Sequence, residues 1–308
     1  LAEWLFEDGI GEQRAALIGN DGQILRARIA VDGAGPQPGL VAPARLIERG
    51  VARLDSGEEV TLTRAAPGIT LGAAVRVEIT RAAIPEVGRP KPPRGRITYA
   101  APRPAPTLRE RLTDAPVRVL RAHEPDALEA AGWSEMLEEA RTGDIAFPGG
   151  MLRLWPTPAM TLFDVDGDPP LDTLAVRAAS AVAAAIERHD IGGSIGIDFP
   201  TLAGRDARLA VAAAIDSGLP QPFERTAVNG FGFLQIVRAR THPSVAELLR
   251  SDPVGAAARA ILRQIERTPP TASNRFSVSP AVRDRITKNP AWMAMLVQRT
   301  GRTPIFDA

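Results

Sequence analysis

Apolar and polar positions alternate almost from the start of the chain. In GEQRAALIGNDGQILRARI, residues 11–29, two apolar-rich runs flank Asn20-Asp21-Gly22. Short polar side chains and a glycine suit the positive φ of a tight turn, so the stretch predicts a β-hairpin. DGAGPQPG, residues 32–39, then breaks the pattern with glycine and proline. From residue 40 to 80, short β-like runs recur between glycines, in GLVAPARLI, GVARL, EEVTLT and AAVRVEIT. Strands of that length and spacing predict a small barrel. IPEVGRPKPPRGRITYAAPRPAP, residues 84–106, is dense in proline and arginine and reads as extended chain, with the linker itself at residues 99–111.

Beyond the linker the period changes. APVRVLRA reads as a strand, and PDALEAAGWSEMLEEARTG as one helix ending at Gly143. GGMLRLW and AMTLFDV predict paired strands. LDTLAVRAASAVAAAIERHDIGG predicts a long helix, with apolar residues at helical spacing and glycines at its end. GSIGIDF reads as a short buried strand, RDARLAVAAAIDSG as a helix, and FGFLQIVRAR as a strand with two arginines at its exit. The tail holds two helical stretches, VGAAARAILRQIER and PAVRDRI…PAWMAMLVQRTG, then a brief strand, TPIF. No internal repeat is visible.

At 308 residues the chain is long enough for two or three domains. No run of 18 apolar residues is present, so no membrane span is expected. The opening LAEWLFEDGIGEQRAAL is acidic and lacks a secretory pattern. Cysteine is absent, which excludes disulfides and thiolate zinc sites. These features make a cytoplasmic location the expectation. Of 37 cationic side chains, only Lys91 and Lys288 are lysines; the other 35 are arginines, suited to planar, bidentate phosphate recognition. From Arg205 onward the cations outnumber the acids. A basic half supports a polyanion partner, although a GC-rich coding bias would also raise arginine and alanine.

The chemistry-bearing stretch is MTLFDVDGDPPL, residues 160–171. Residues two apart on a strand share a face, so Asp164 and Asp166 can look into one space. Asp198 ends the next predicted strand, after an intervening helix. A strand–helix–strand unit sets its two strands side by side with their C-terminal ends at one edge, where Asp164 and Asp198 would meet. Two adjacent carboxylates favour a divalent cation, and Mg²⁺ suits few carboxylates plus water and phosphate oxygen. A solvated Asp-rich turn remains the plain alternative. LFDVDGD also resembles the first motif of haloacid-dehalogenase-like phosphatases. There, however, a threonine stands where this chain has Asp168, and a later acidic pair is needed where this chain has a lone Asp198.

A wider resemblance covers nearly the whole chain. GGMLRLWPTPAMTLFDVDGD, a long helix, DIGGSIGIDF, a second helix and GFGFLQIVRARTHPSV resemble, in order and spacing, the catalytic core of the ribonuclease E/G family. The resemblance implies an α/β (α+β multi-domain) fold. An RNase H-like subdomain would occupy 1–32 and 112–142, with an S1/OB-like barrel inserted at 33–98. A DNase I-like catalytic α/β subdomain would follow at 143–250, and a small C-terminal domain at 251–308. It also implies a Mg²⁺-dependent endoribonuclease, with Mn²⁺ as the alternative ion, that cuts single-stranded RNA to leave 3′-hydroxyl and 5′-phosphate ends.

Carried over by position, Asp164 and Asp198 match the family's metal-binding aspartates. Asp166 completes the catalytic set where the family commonly has asparagine. Arg238 and Arg240 match a basic pair that would face RNA phosphates, the alternative being solvated arginines on a strand edge. Two features of the family are missing: there is no room for its 5′-end sensor, and its Cys-Pro-x-Cys zinc link is absent. His123, His189 and His242 do not replace that link by spacing, so no zinc is expected and a monomer is the expectation, with other dimer surfaces left open. Residues 33–98 contain no Phe, Tyr or Trp, so RNA binding by the barrel would rest on arginines such as Arg45, Arg53, Arg64 and Arg76. The rival functions are an RNA- or ribosome-binding protein with weak or no cleavage, and the phosphatase.

Overall fold

The computed structural model describes residues 2–65, 68–86, 90–202 and 204–307. The fold is mixed α/β, and the chain divides into two compact units. One comprises Leu1–Gly33, Leu108–Ser134 and Leu248–Ala308; the other comprises Ala34–Thr107 and Glu135–Glu247.

The predicted hairpin forms and gains a strand in front of it. β1 (Glu3–Asp8), β2 (Glu12–Ile18) and β3 (Ile24–Val31) run as an antiparallel meander. Gly22 takes a φ of 79° at the turn. β1 shows no polar alternation because Trp4, Leu5 and Phe6 are all buried, so the period of two that marks a half-exposed strand is absent.

All four predicted barrel strands are present. β4 (Val41–Glu48), β5 (Val51–Leu54), β6 (Glu59–Leu62), β7 (Ala74–Arg81) and β8 (Arg94–Ile97) close in the order β4-β5-β6-β8-β7. Alternate side chains, among them Leu46, Leu54, Val60, Val77 and Ile79, fill its interior. The fifth strand comes from the Pro/Arg stretch, which is therefore not all extended linker. At Gly95 an added Cβ would lie 2.6 Å from Val77 Cγ1 and 2.8 Å from the Glu78 carbonyl, so only glycine lets β8 lie this close to β7. Farther along, Arg103 N–H donates to the Val41 carbonyl at 3.0 Å. Around a 3₁₀ turn at Arg109–Arg111, Leu108 and Leu112 pack on Trp4 and Phe6.

β9 (Val117–Val119) then pairs in parallel with β1. The single helix expected next is two, α1 (Ala127–Ala130) and α2 (Trp133–Thr142). Gly132, with a φ of 89°, separates them, because a left-handed residue ends a helical run. A six-stranded sheet follows. It is built from β10 (Asp144–Phe147), β11 (Gly150–Pro156), β12 (Thr161–Gly167), β13 (Gly193–Asp198), β14 (Phe223–Arg225) and β15 (Phe233–Arg238), in the order β10-β11-β12-β13-β15-β14. α3 (Leu171–Arg188) links β12 to β13, and α4 (Arg205–Gly218) follows β13. The many alanines of α3 let α4 approach closely: an added Cβ at Gly218 would lie 2.9 Å from that of Ala183. β10 and β14 are not among the strands that the sequence pattern predicts.

The C-terminal segment holds α5 (Val245–Ser251), α6 (Pro253–Arg267), β16 (Arg275–Ser277), α7 (Pro280–Thr287), α8 (Pro290–Thr300) and β17 (Ile305–Asp307). α6, α7 and α8 share one N-terminal device. Asp252, Ser279 and Asn289 each accept a backbone N–H from the first turn, and each is followed by a proline. Their apolar faces bury Leu262, Ile265, Ile286 and Leu296 together with Ile10.

The same unit contains a buried charge network. Arg14, only 1% exposed, donates to Glu7 at 2.7 Å and to Glu12 at 2.6 Å. Glu7 also accepts from Arg263 at 2.7 Å and Arg267 at 2.6 Å, and Glu12 from Arg259 at 2.6 Å. Burial alone would raise the Glu7 pKa, but the charges of Arg14 and Arg263 and the hydrogen bonds from Arg263 and Arg267 outweigh it and hold the carboxyl below its ordinary value. Among the described residues no helix is long and apolar enough to cross a membrane.

Candidate functional site

The six-stranded sheet has two unlike faces. Phe163, Val165, Ile195, Ile197, Leu234 and Ile236 are buried. Their neighbours in sequence point the other way, as the alternation of a strand requires. Asp164, Asp166 and Asp198 lie on this second face and are exposed. β12 and β13 are parallel neighbours, and their register pairs Asp164 with Asp198. The two carboxylates therefore project side by side from adjacent strands, about 4.8 Å apart in the backbone.

On the other side of β12, Arg153 of β11 stands opposite Asp164. Its guanidinium reaches Asp166 at 3.2 Å. Asp166 thus shares the face of the other two aspartates but is paired to an arginine. Arg153 was not singled out in the sequence. It lies in a plain strand pattern, and only the antiparallel pairing of β11 with β12 brings it to the carboxylates. Gly167, at the end of this acidic stretch, has a packing role. A Cβ there would lie 2.5 Å from both the Gly149 carbonyl and Leu174 Cδ1, so the glycine lets α3 close on the sheet. Asp168 is exposed in the turn that follows, where its N–H donates to the Gly149 carbonyl at 3.3 Å.

Arg238 and Arg240 lie elsewhere. Arg238 pairs in register with Gly193, at the opposite end of β13 from Asp198, about 16 Å away along the strand. It shares the parity of the buried Leu234 and Ile236, and its guanidinium donates to Glu187 of α3 at 2.6 Å. Arg240 donates to Glu247 and lies 3.6 Å from Glu86. Both are committed to carboxylates, and the structure does not bring them to the aspartate face. His189 is fully buried, with Nε2 3.2 Å from Glu139.

Asp164 and Asp198 offer two hard oxygen donors open to solvent. Among the described residues no group of three or more His, Asp or Glu side chains is gathered as a metal cage. Such a pair fits a hard divalent cation that keeps several waters or takes phosphate oxygens, which is the coordination Mg²⁺ prefers. It does not fit a closed zinc site.

The barrel carries a second feature. A groove of about 670 Å³ is lined by Pro43, Ile69, Val75, Arg76, Ile97 and Tyr99, among others. Tyr99, one residue past the stretch without aromatics, is 94% exposed. Arg76 donates to the Tyr99 and Ala100 carbonyls. Of the other barrel arginines, Arg53 is paired with Glu59 at 2.7 Å, and Arg45 donates to the Gly72 carbonyl.

No family model matches the chain. Against curated proteins it is 27% identical over 130 residues to ribonuclease G of Escherichia coli K12, a match covering 38% of this chain and 27% of that protein. Ribonuclease G of Salmonella typhimurium SL1344 and of Shigella flexneri match with the same figures. The chain thus spans about a quarter of the length of the curated relatives it matches, and its similarity to ribonuclease G is distant.

Proposed function

We propose that the chain is a metal-dependent endoribonuclease acting on single-stranded RNA in the cytoplasm, with Asp164 and Asp198 as its metal-binding pair. One observation carries the reading: two exposed aspartates from parallel neighbouring strands stand in register on an open sheet face. The distant similarity to ribonuclease G supports it. The strand order of the barrel supports reading residues 33–98 as an S1/OB-like module, within the subdomain scheme given by the ribonuclease E/G resemblance.

In this reading Asp164 and Asp198 would hold Mg²⁺, with Mn²⁺ as the alternative ion. When bound, the ion supplies activation of a water and neutralisation of charge on the scissile phosphate. Asp166 holds Arg153 on the same face, and Arg153 presents a guanidinium to the phosphate backbone. In-line attack of water on phosphorus, with the P–O3′ bond breaking and the departing 3′ oxygen taking up a proton, leaves a 3′-hydroxyl and a 5′-phosphate. No zinc is required, and the protein acts as a monomer.

The test incubates labelled single-stranded RNA, and separately p-nitrophenyl phosphate, with the protein in Mg²⁺ and in EDTA. RNA cleavage in Mg²⁺ alone is expected, with Asp164→Asn and Asp198→Asn each removing most of it while the fold is retained. Wild-type cleavage by either variant would overturn the assignment, and hydrolysis of the small ester alone would favour the phosphatase. A second reading, RNA binding with little or no cleavage, draws on the lack of a third acidic ligand among the described residues. It predicts tight binding with no product.

A further inference from the structure

Next to the aspartates the same sheet face is apolar. One cross-strand row runs Arg153, Asp164, Asp198, Phe233 across β11, β12, β13 and β15. The adjacent row runs Trp155, Leu162, Gly196, Gln235. Gly196 is the centre of that second row. A Cβ there would lie 2.7 Å from Phe233 Cζ, 2.9 Å from Leu162 Cδ2 and 2.9 Å from Met160 Sδ. Phe233, Leu162 and Met160 thus fold over the glycine and form a continuous floor. Trp155, 62% exposed, rims this floor on β11, diagonal to Asp164. At the far side, the turn before β15 holds Phe231, which is 84% exposed. That turn is fixed to the aspartate edge. The Phe199 N–H, one residue past Asp198, donates to the Gly232 carbonyl at 3.2 Å, and Asn229 Oδ1 accepts the N–H groups of Phe231 and Phe233.

Large aromatics left in solvent on a flat apolar floor lose burial that other positions in the fold would give them. That cost is recovered when a planar ligand covers them. Here the floor reaches the carboxylate row itself at Phe233, opposite Asp198, and continues in the next row, two residues or about 6.6 Å along the strands. We infer that this floor is a base-stacking shelf. Trp155, beside Leu162, takes one unpaired base of the RNA next to the phosphate that Arg153 and a cation at Asp164 and Asp198 would hold. Phe231 takes a second unpaired base beyond Asp198. The inference rests on the endoribonuclease reading and adds the groups that would make it select single strands. A base inside a duplex has both its faces covered by neighbours and cannot lie on Trp155. The occupant follows from the chemistry of the face. A phosphate belongs beside Arg153 and the carboxylate-held cation, and the adjoining apolar, π-rich surface suits the base attached to it.

The whole 308-residue chain in EDTA provides the test, because binding is then read without cleavage. Trp4 and Trp133 are each 2% exposed and Trp292 is partly buried, so Trp155, at 62%, is the tryptophan most open to a ligand. Titration with a single-stranded RNA oligonucleotide should quench its emission. An abasic ribose-phosphate oligomer of equal length and charge should bind more weakly and leave the emission unchanged. Trp155→Ala and Phe231→Ala should each weaken binding of the base-bearing strand by about five- to a hundred-fold, the range for one stacked base. Neither should weaken binding of the abasic strand, and both should melt as wild type does. Trp155→Phe should restore most of the affinity. Equal affinity for the two oligomers, or alanine variants that bind the base-bearing strand as wild type does, would overturn the shelf. If RNA is still cut in Mg²⁺ in that case, the endoribonuclease reading survives and only the shelf is lost. Failure of any RNA to bind or be cut would remove both.

Discussion

Replacing Glu7 with glutamine removes one charge from the centre of the buried arginine network. Glu7 accepts hydrogen bonds from Arg14, Arg263 and Arg267. Breaking a buried ion pair by deleting one partner costs about 3–5 kcal/mol, because the other charge stays desolvated. The structure places this case at the lower end. Arg14, with 2% of its side chain exposed, keeps Glu12, while Arg263 and Arg267 keep Asp126 and are 12% and 10% exposed. The expected loss is therefore about 3 kcal/mol, or a shift of about 1–3 M in the urea midpoint of this unit. The pH dependence has a definite sign. The folded-state pKa of Glu7 is depressed below its ordinary value of 4.5. Its stabilisation is therefore complete above pH 4.5 and is lost as pH falls through the folded-state value. Asp126, held low against burial by hydrogen bonds from Arg263 and the Glu129 N–H, adds a slope of the same sign. Glu266, whose pKa burial raises, opposes it. Urea unfolding of wild type and Glu7→Gln between pH 3 and pH 7 isolates the Glu7 contribution: the two curves should differ most near neutrality and converge in acid. A variant within about 1 kcal/mol of wild type at pH 7, or a gap that does not narrow in acid, would refute the argument.

Three further outcomes are expected. Asp166→Asn should retain cleavage, because Asp166 is tied to Arg153 rather than paired in register with Asp198; a dead variant in the RNA assay would make Asp166 a required ligand. Arg153→Gln should flatten the salt dependence of RNA affinity by about one phosphate contact, whereas the double change Arg238→Gln and Arg240→Gln should leave that slope alone and lower the melting temperature; the reverse pattern would return RNA contact to the distal pair. Gly95→Ala should destabilise the barrel by about 1–3 kcal/mol, since the added carbon meets both Val77 and the backbone of Glu78; unchanged unfolding would show that β8 can move away without loss.

Periodicity in the sequence determined most elements of this protein. A half-exposed strand or an amphipathic helix writes its buried face into the order of residues. Hence the first hairpin, four barrel strands, α3, α4 and the edge carrying Asp164 and Asp198 were all legible. Strands β1, β10, β14 and β16 were not; β1 is almost wholly buried and so has no period of two to read. β8 was hidden for another reason. Its surroundings are rich in proline, and its place in the barrel depends on a single glycine that β7 and β6 crowd. The assignments that needed distance belong to the tertiary structure. Parallel pairing of β12 with β13 set the two aspartates in register. Antiparallel pairing of β11 with β12 put Arg153 and Trp155 beside them. Strand parity turned Arg238 away toward Glu187. Local sequence encodes which face of an element is buried, but which residues of different elements share that face is decided only when the strands pair.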